Sequence, residues 1–285
     1  MTASTGALGA PPGGVAPAEP QNPIVAAIAA QRQRHTRRFR IIFVVTWAVV
    51  ISGALGSLVA AGKIDFAFMA KWTPYIIGGV GTTIFVAVCS ISIAILFAIV
   101  GSLGRLSSVP IFYAISTLYV SLVRGTPLLV QILFIYLALP QVIPAVAGVP
   151  QVALGIFALS FNYGAYMTET FRAGIQAVPR GQTEAAQALG MPGSTRMRRI
   201  ILPQAVRIIT PAIGNEFISM IKDSSLVSVI AVPELLWRAQ RVGQSNFRTL
   251  ETLMVAAAIY WGLTIVLSLV QDRLEKRMGE SDRRI

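Results

Sequence analysis

Three polar side chains fall where a helix would put them on one face of an otherwise apolar segment. Asn162, Tyr166 and Glu169 recur at spacings of four and three within Val152–Ile175, which a helix lines up on a single side. Lipid is a poor neighbour for that face, because an ionised carboxylate at mid-depth costs about 2.5–3.5 kcal/mol on insertion scales. Glu169 is therefore expected to face a bundle interior or a watery cavity, where it suits an ammonium group. The competing reading is an ion pair with Arg172, three residues on. A second polar group, Lys222-Asp223-Ser224-Ser225, ends the apolar run Ala205–Ile221 and precedes another apolar piece, Leu226–Val232. The pattern predicts a broken helix, with Lys222, Asp223 and Ser225 addressing a ligand at membrane depth. Asn215 and Ser219 extend the same stripe and read as helix–helix hydrogen bonders.

This is the chemistry of binding and passage. The only histidine, His35, sits among Arg32, Arg34, Arg37, Arg38 and Arg40, and the only cysteine, Cys89, lies inside an apolar run. No nucleophile–base pair or metal set emerges from such residues, and no intrachain disulfide is possible. The phosphate-cradling pattern G-x-x-x-x-G-K-[ST] is also absent from the sequence. We expect no enzyme, no metal and no cofactor in this chain.

The elements that must position these residues are membrane helices. The sequence is 54% hydrophobic and 13% charged over 285 residues, more apolar than the roughly 45–50% of a soluble domain. Six stretches reach or approach the ~20 apolar residues of a span: Ile41–Ala61, Tyr75–Leu103, Ser116–Leu139, Val152–Ile175, Ala205–Ile221 and Leu253–Val270. Arg124-Gly125-Thr126-Pro127 interrupts the third, where Pro127 weakens the helix and Arg124 reaches for the interface. Glycines 78, 79 and 81 read as close-packing positions. Residues 1–40 read as a disordered, basic tail, residues 41–62 as an extra first helix, and 273–285 as a charged tail.

The formal charge of +12 would raise nucleic acid as a partner, but the basic residues flank apolar stretches and fit positive-inside topology better. With the N-terminus inside, eighteen Lys and Arg fall on the cytoplasmic side and six outside, namely Lys63, Lys71, Lys222, Arg238, Arg241 and Arg248. The expected fold is an all-α polytopic bundle of about six spans, both termini cytoplasmic. Arg238 and Arg241 run against that bias.

Between the fourth and fifth spans, the basic segment Glu184–Pro203 reads EAAQALGMPGSTRMRRIILP. Gly181–Leu189 carries good helix formers, and Gly190 falls where a left-handed C-cap belongs. Ser194 is placed to cap a second short helix over Met197–Ile200, and Pro203 suits the first turn of the next span. Helix, sharp turn, helix, membrane is the expected order.

Glu184, Ala185, Ala186, Gly190, Ile200, Leu202 and Pro203 stand at the spacing of the cytoplasmic EAA loop, and the segment resembles that loop of bacterial ABC-importer permeases. Arg124–Gln131 (RGTPLLVQ), Ala165–Glu169 (AYMTE) with Arg172–Ile175, and Lys222–Leu226 (KDSSL) are similar to patterns of the polar amino acid permeases among type I ABC importers. The likeness covers about Gly78 to Asp272, with Ala173 and Ser224 as small departures from the commoner Gly and Thr, and it implies a transmembrane domain over residues 75–272. It implies a non-enzymatic, multi-pass subunit of the bacterial cytoplasmic membrane, coupled through the 177–204 loop to ABC ATPase subunits that hold ATP and Mg. It further implies a second permease copy or paralogue, an extracytoplasmic solute-binding protein and a polar amino acid as cargo. Membrane lipid is the remaining partner and nucleic acid is not one. An ion-coupled secondary transporter is the alternative, since it too accommodates Glu169 and a broken helix.

Overall fold

The computed structural model describes residues 23–282, so the expected tail over residues 1–22 lies outside the described residues. The chain divides into two compact units, Met1–Ile64 and Asp65–Ile285.

In the first unit, α1 (Pro23–Ala60) is one continuous helix. Residues 23–40, expected as disordered tail, are thus helical, which their content of Ala, Gln and Arg favours and which Pro23 at the first turn permits. Phe39, Phe43 and Trp47 stack along one side at 6.5 and 6.0 Å. Gly62, at φ 62°, closes the helix, and Lys63 N–H donates to Leu58 O at 3.0 Å, the left-handed ending that glycine accommodates without strain.

In the second unit, α2 (Phe66–Ile77) is capped by Asp65, whose carboxylate accepts from Phe68 N–H at 2.9 Å. It leads through Gly78 and Gly79 into α3 (Val80–Leu106), and the two make one apolar run, Phe66–Leu106. The span expected from Tyr75 therefore begins earlier. Gly79 is required here: a Cβ would stand 2.6 Å from the Leu235 backbone. Gly78 meets the flexible end of the Arg238 side chain at 2.7 Å and Gly81 has nothing within 4 Å, so close packing demands glycine at Gly79 alone of the three.

The third expected span is not one helix. α4 (Pro110–Arg124) and the following apolar piece, Leu128–Val142, meet at 105°. That piece comprises α5 (Leu128–Leu133), a π-helical turn and α6 (Leu139–Val142). Pro127 lacks an N–H and disfavours helix at Thr126, so the chain turns instead of merely kinking.

After α6 come α7 (Gln151–Gln176), α8 (Arg180–Ala188) and α9 (Gly193–Arg196). A π-turn, Met197–Ile201, carries α9 directly into α10 (Leu202–Asp223). A 3₁₀ segment, Ser224–Ile230, then precedes α11 (Leu235–Ser245) and α12 (Thr249–Asp282), so the expected charged tail is helical as far as Asp282.

Ile41–Ala60, Phe66–Leu106 and Thr249–Lys276 are long and apolar enough to cross a membrane, and the bent α4–α5–α6 piece could supply a fourth crossing. At 26 and 22 residues, α7 and α10 have the length of a span but are more polar. α7 offsets that polarity by lying in the middle of the bundle. Tyr163, Met167 and Phe171 of α7 pack with Ala94 and Ala98 of α3 and Ala205 and Ile209 of α10. Small residues permit the approach: a Cβ on Gly101 would fall on the Thr168 side chain, and one on Gly164 on Phe97.

Candidate functional site

The polar face of α7 is built out of side chains brought from distant elements. Glu169 accepts from Arg105 Nε at 3.0 Å through Oε1, and from Arg172 Nη2 at 2.7 Å and Nε at 3.0 Å through Oε2. The Arg172 pair is the one the spacing suggests; Arg105, at the end of α3, is new. Arg105 also donates to Thr117 Oγ1 at 2.7 Å and lies over the Tyr113 ring. Glu169 is only 19% exposed, as a charge kept from lipid must be, but both its oxygens are engaged by guanidinium groups. It is a closed acid rather than a vacant one.

One turn back, Tyr166 lies beneath Arg124, whose guanidinium is 5.1 Å from the ring centre. Arg124, though exposed, thus lies against α7. Asn162 is buried and donates to Gln131 Oε1 at 3.1 Å. Gln131 Nε2 lies 2.8 Å from Val123 O, 3.1 Å from Thr126 O and 2.8 Å from Thr126 Oγ1. Val123 O has no helical donor because Pro127, four residues on, lacks an N–H, so Gln131 satisfies the bend and Asn162 holds Gln131. Asn162, placed by sequence on the stripe with Tyr166 and Glu169, is thus tied to the α4–α5 corner.

Tyr163, which the 162/166/169 stripe omits, is buried and donates to Asp223 Oδ2 at 2.8 Å. Asp223 is the last residue of α10, where the helix tightens to 3₁₀. The expected break is thus present as a change of helix type ending at Ala231, in the left-handed region at φ 61°. Ser224 is buried against Ile221 O, Ser225 and Asp223 are half-buried, and Lys222 and Asn215 are exposed. An exposed lysine and asparagine on a helix of this bundle require water or another protein surface beside them.

At the opposite end of α10 the α8–α9 hairpin has the expected shape. Leu189 N–H donates to Ala185 O and Met191 N–H to Ala186 O, with Gly190 at φ 69° between them. Only glycine takes that conformation without a penalty of about 1–2 kcal/mol. Ser194 does not cap the second helix; α9 starts at Gly193 after Pro192 and no side chain caps it. Pro203 lies in the first turn of α10 as expected. Of the seven spaced residues, Ala186 is buried and Ile200 half-buried, while Glu184, Ala185, Gly190, Leu202 and Pro203 are exposed. Leu189 is 81% exposed at the tip. The spacing omits it, although a large apolar residue beside a predicted left-handed glycine is a readable signal.

Residues 98–280 match the family model described as binding-protein-dependent transport system inner membrane component. A probable amino-acid ABC transporter permease of Vibrio harveyi is 36% identical over 76% of this chain and 97% of its own length. An arginine transport system permease of Bacillus subtilis is 36% identical over 77% and 100%. Among solved structures, an amino acid ABC transporter with histidines is 39% identical, with a TM-score of 0.71 over 75% of this chain and 99% of that one.

Proposed function

Because this chain belongs to the family of binding-protein-dependent transport system inner membrane components, we propose that it carries a polar amino acid inward as the permease subunit of an ABC importer. ATP and Mg are held by separate ATPase subunits docked on the 177–204 loop, and an extracytoplasmic solute-binding protein delivers the cargo. The observation that carries this reading is the continuity of the hairpin with the membrane bundle. α9 passes through a π-turn straight into α10 with no flexible linker, so a displacement of the hairpin moves α10 and the Asp223 junction with it. Closure of two ATPases would draw two such hairpins together and rock the bundles about the pathway.

Exposed Asn215 and Lys222 support a second permease copy or paralogue across a shared, wet pathway. The α7 face supports a zwitterionic cargo. Arg105, Arg124 and Arg172 outnumber Glu169 along one stretch of it, which suits a carboxylate. Asp223, steadied by Tyr163, suits an ammonium. The relatives include proteins named for amino acid, arginine and cystine transport, so the cargo class is common to them while the individual amino acid varies. The ion-coupled alternative gains no support from this family. The subunit's expected place is the bacterial cytoplasmic membrane, with both termini and the hairpin inside.

Reconstitution of the chain with its ATPase and binding protein, followed by a screen of amino acids for stimulated ATP hydrolysis, tests the reading. Stimulation by one or a few polar amino acids is expected. Silence with all of them would remove the amino acid assignment.

A further inference from the structure

Arg238 and Arg241 lie against the positive-inside bias, and the fold accounts for only one of them. Arg238 donates to Tyr75 O at 3.2 Å and Pro233 O at 3.4 Å and stacks on the Tyr75 ring, so it ties α11 to the end of α2. Arg241 is exposed, stacked on Trp237, and makes no ion pair among the described residues. It sits one turn before the loop joining α11 to α12, and that loop holds a second anomaly. Phe247 is 97% exposed and adopts a left-handed backbone at φ 56°.

Each property is unfavourable alone. A bulky side chain in the left-handed region costs about 1–2 kcal/mol, and burial of its ring, the usual compensation, is missing. The loop nevertheless holds Phe247 firmly. Asn246 caps α11 by donating to Val242 O, Arg248 N–H donates to Gly243 O, and the Arg248 guanidinium pairs with Asp65 and Glu251 while lying over Phe68. An exposed ring on a loop backbone held in an unfavourable state fits an anchor awaiting its pocket. The surrounding charge states what the pocket's rim should be. Asp65 and Glu251 are occupied by Arg248 and Glu234 is wholly buried, which leaves Arg241, on the last turns of α11 before this loop, as exposed positive charge.

We propose that the α11–α12 turn is the docking knob for the solute-binding protein, Phe247 filling an apolar pocket and Arg241 meeting an acidic rim. This rests on the importer reading above, in which α10 carries the chain about 33 Å away from the ATPase-facing hairpin and the turn faces outward.

The test uses the complete permease–ATPase complex in lipid nanodiscs and the solute-binding protein that stimulates the wild-type complex, titrated against ATP hydrolysis. Phe247→Gly relieves the backbone penalty, so its thermal midpoint is expected to equal or exceed wild type while half-saturation by the binding protein rises about tenfold or more. Arg241→Glu is expected to raise half-saturation similarly and to reverse its salt dependence. An unchanged half-saturation in Phe247→Gly overturns the proposal and leaves an aromatic that merely touches lipid headgroups. A wild-type complex that responds to no binding protein overturns the importer reading and this inference with it.

Discussion

Glu169 on α7 and Arg105 at the end of α3, 64 positions apart in the chain, are joined by an Nε to Oε1 hydrogen bond of 3.0 Å. Because Arg172 holds the other oxygen, replacing the acid leaves two partly buried guanidinium groups without a counter-charge, the costly way to break an ion pair. Glu169→Gln should therefore reach the membrane but lower uptake at least tenfold. The double-mutant cycle with Arg105→Gln separates the two roles of the acid. Thermal unfolding should show a coupling of about 0.5–3 kcal/mol; a coupling near zero would return Glu169 to direct cargo contact.

The α4–α5 corner depends on Gln131 more than on Asn162. Gln131→Leu strands the Val123 and Thr126 carbonyls and should cost about 1–3 kcal/mol, whereas Asn162→Ala removes one bond and should cost about 0.5–1.5 kcal/mol. Spin labels at Ile115 and Leu137, on the two arms of the 105° bend, should report a broadened distance distribution in Gln131→Leu. A sharp, wild-type distribution in that variant would show that Pro127 alone sets the corner.

In the hairpin, Gly190→Ala keeps the surface small and alters only the left-handed position, at a cost of about 1–2 kcal/mol. We expect weakened ATPase co-purification with normal membrane insertion. Gly190→Asp and Glu184→Lys should release the ATPase altogether, and Leu189→Ala should weaken it by removing the apolar tip. Normal co-purification and transport across all four variants would mean that the hairpin is not the coupling surface.

The sequence legibly encoded what neighbouring residues determine. Apolar runs located the helices, Gly190 announced its own left-handed turn, and Pro203 marked the start of α10. What escaped were contacts closed over long separations. Arg105 and Tyr163 carry no local signal of Glu169 and Asp223, and helical spacing put Asn162 with Tyr166 and Glu169 although its partner is Gln131. The corner at Pro127 was visible as a weakness, but the contacts of Gln131 with Val123 and Thr126 across it carry no local signal. Basic residues at 32–40 masked a helix because charge and helix propensity point to different outcomes there.

Glu234 carries the last prediction. It is wholly buried and accepts from the Tyr260 hydroxyl at 2.5 Å, the Trp237 N–H at 2.7 Å and the Thr83 hydroxyl at 3.4 Å. One carboxylate thus caps α11 and ties it to α3 and α12. Three donors converge on an acceptor-only group, so the amide of Glu234→Gln must turn its NH₂ toward a donor or leave a site empty. A loss of about 1–3 kcal/mol is expected, against about 0.5–1.5 kcal/mol for Tyr260→Phe, which removes one donor and leaves the cap intact. Thermal unfolding of the purified complex measures both. If Glu234→Gln unfolds no earlier than Tyr260→Phe, the cap and not the convergence of three helices is what Glu234 supplies, and the α3–α11–α12 junction rests on its apolar contacts alone.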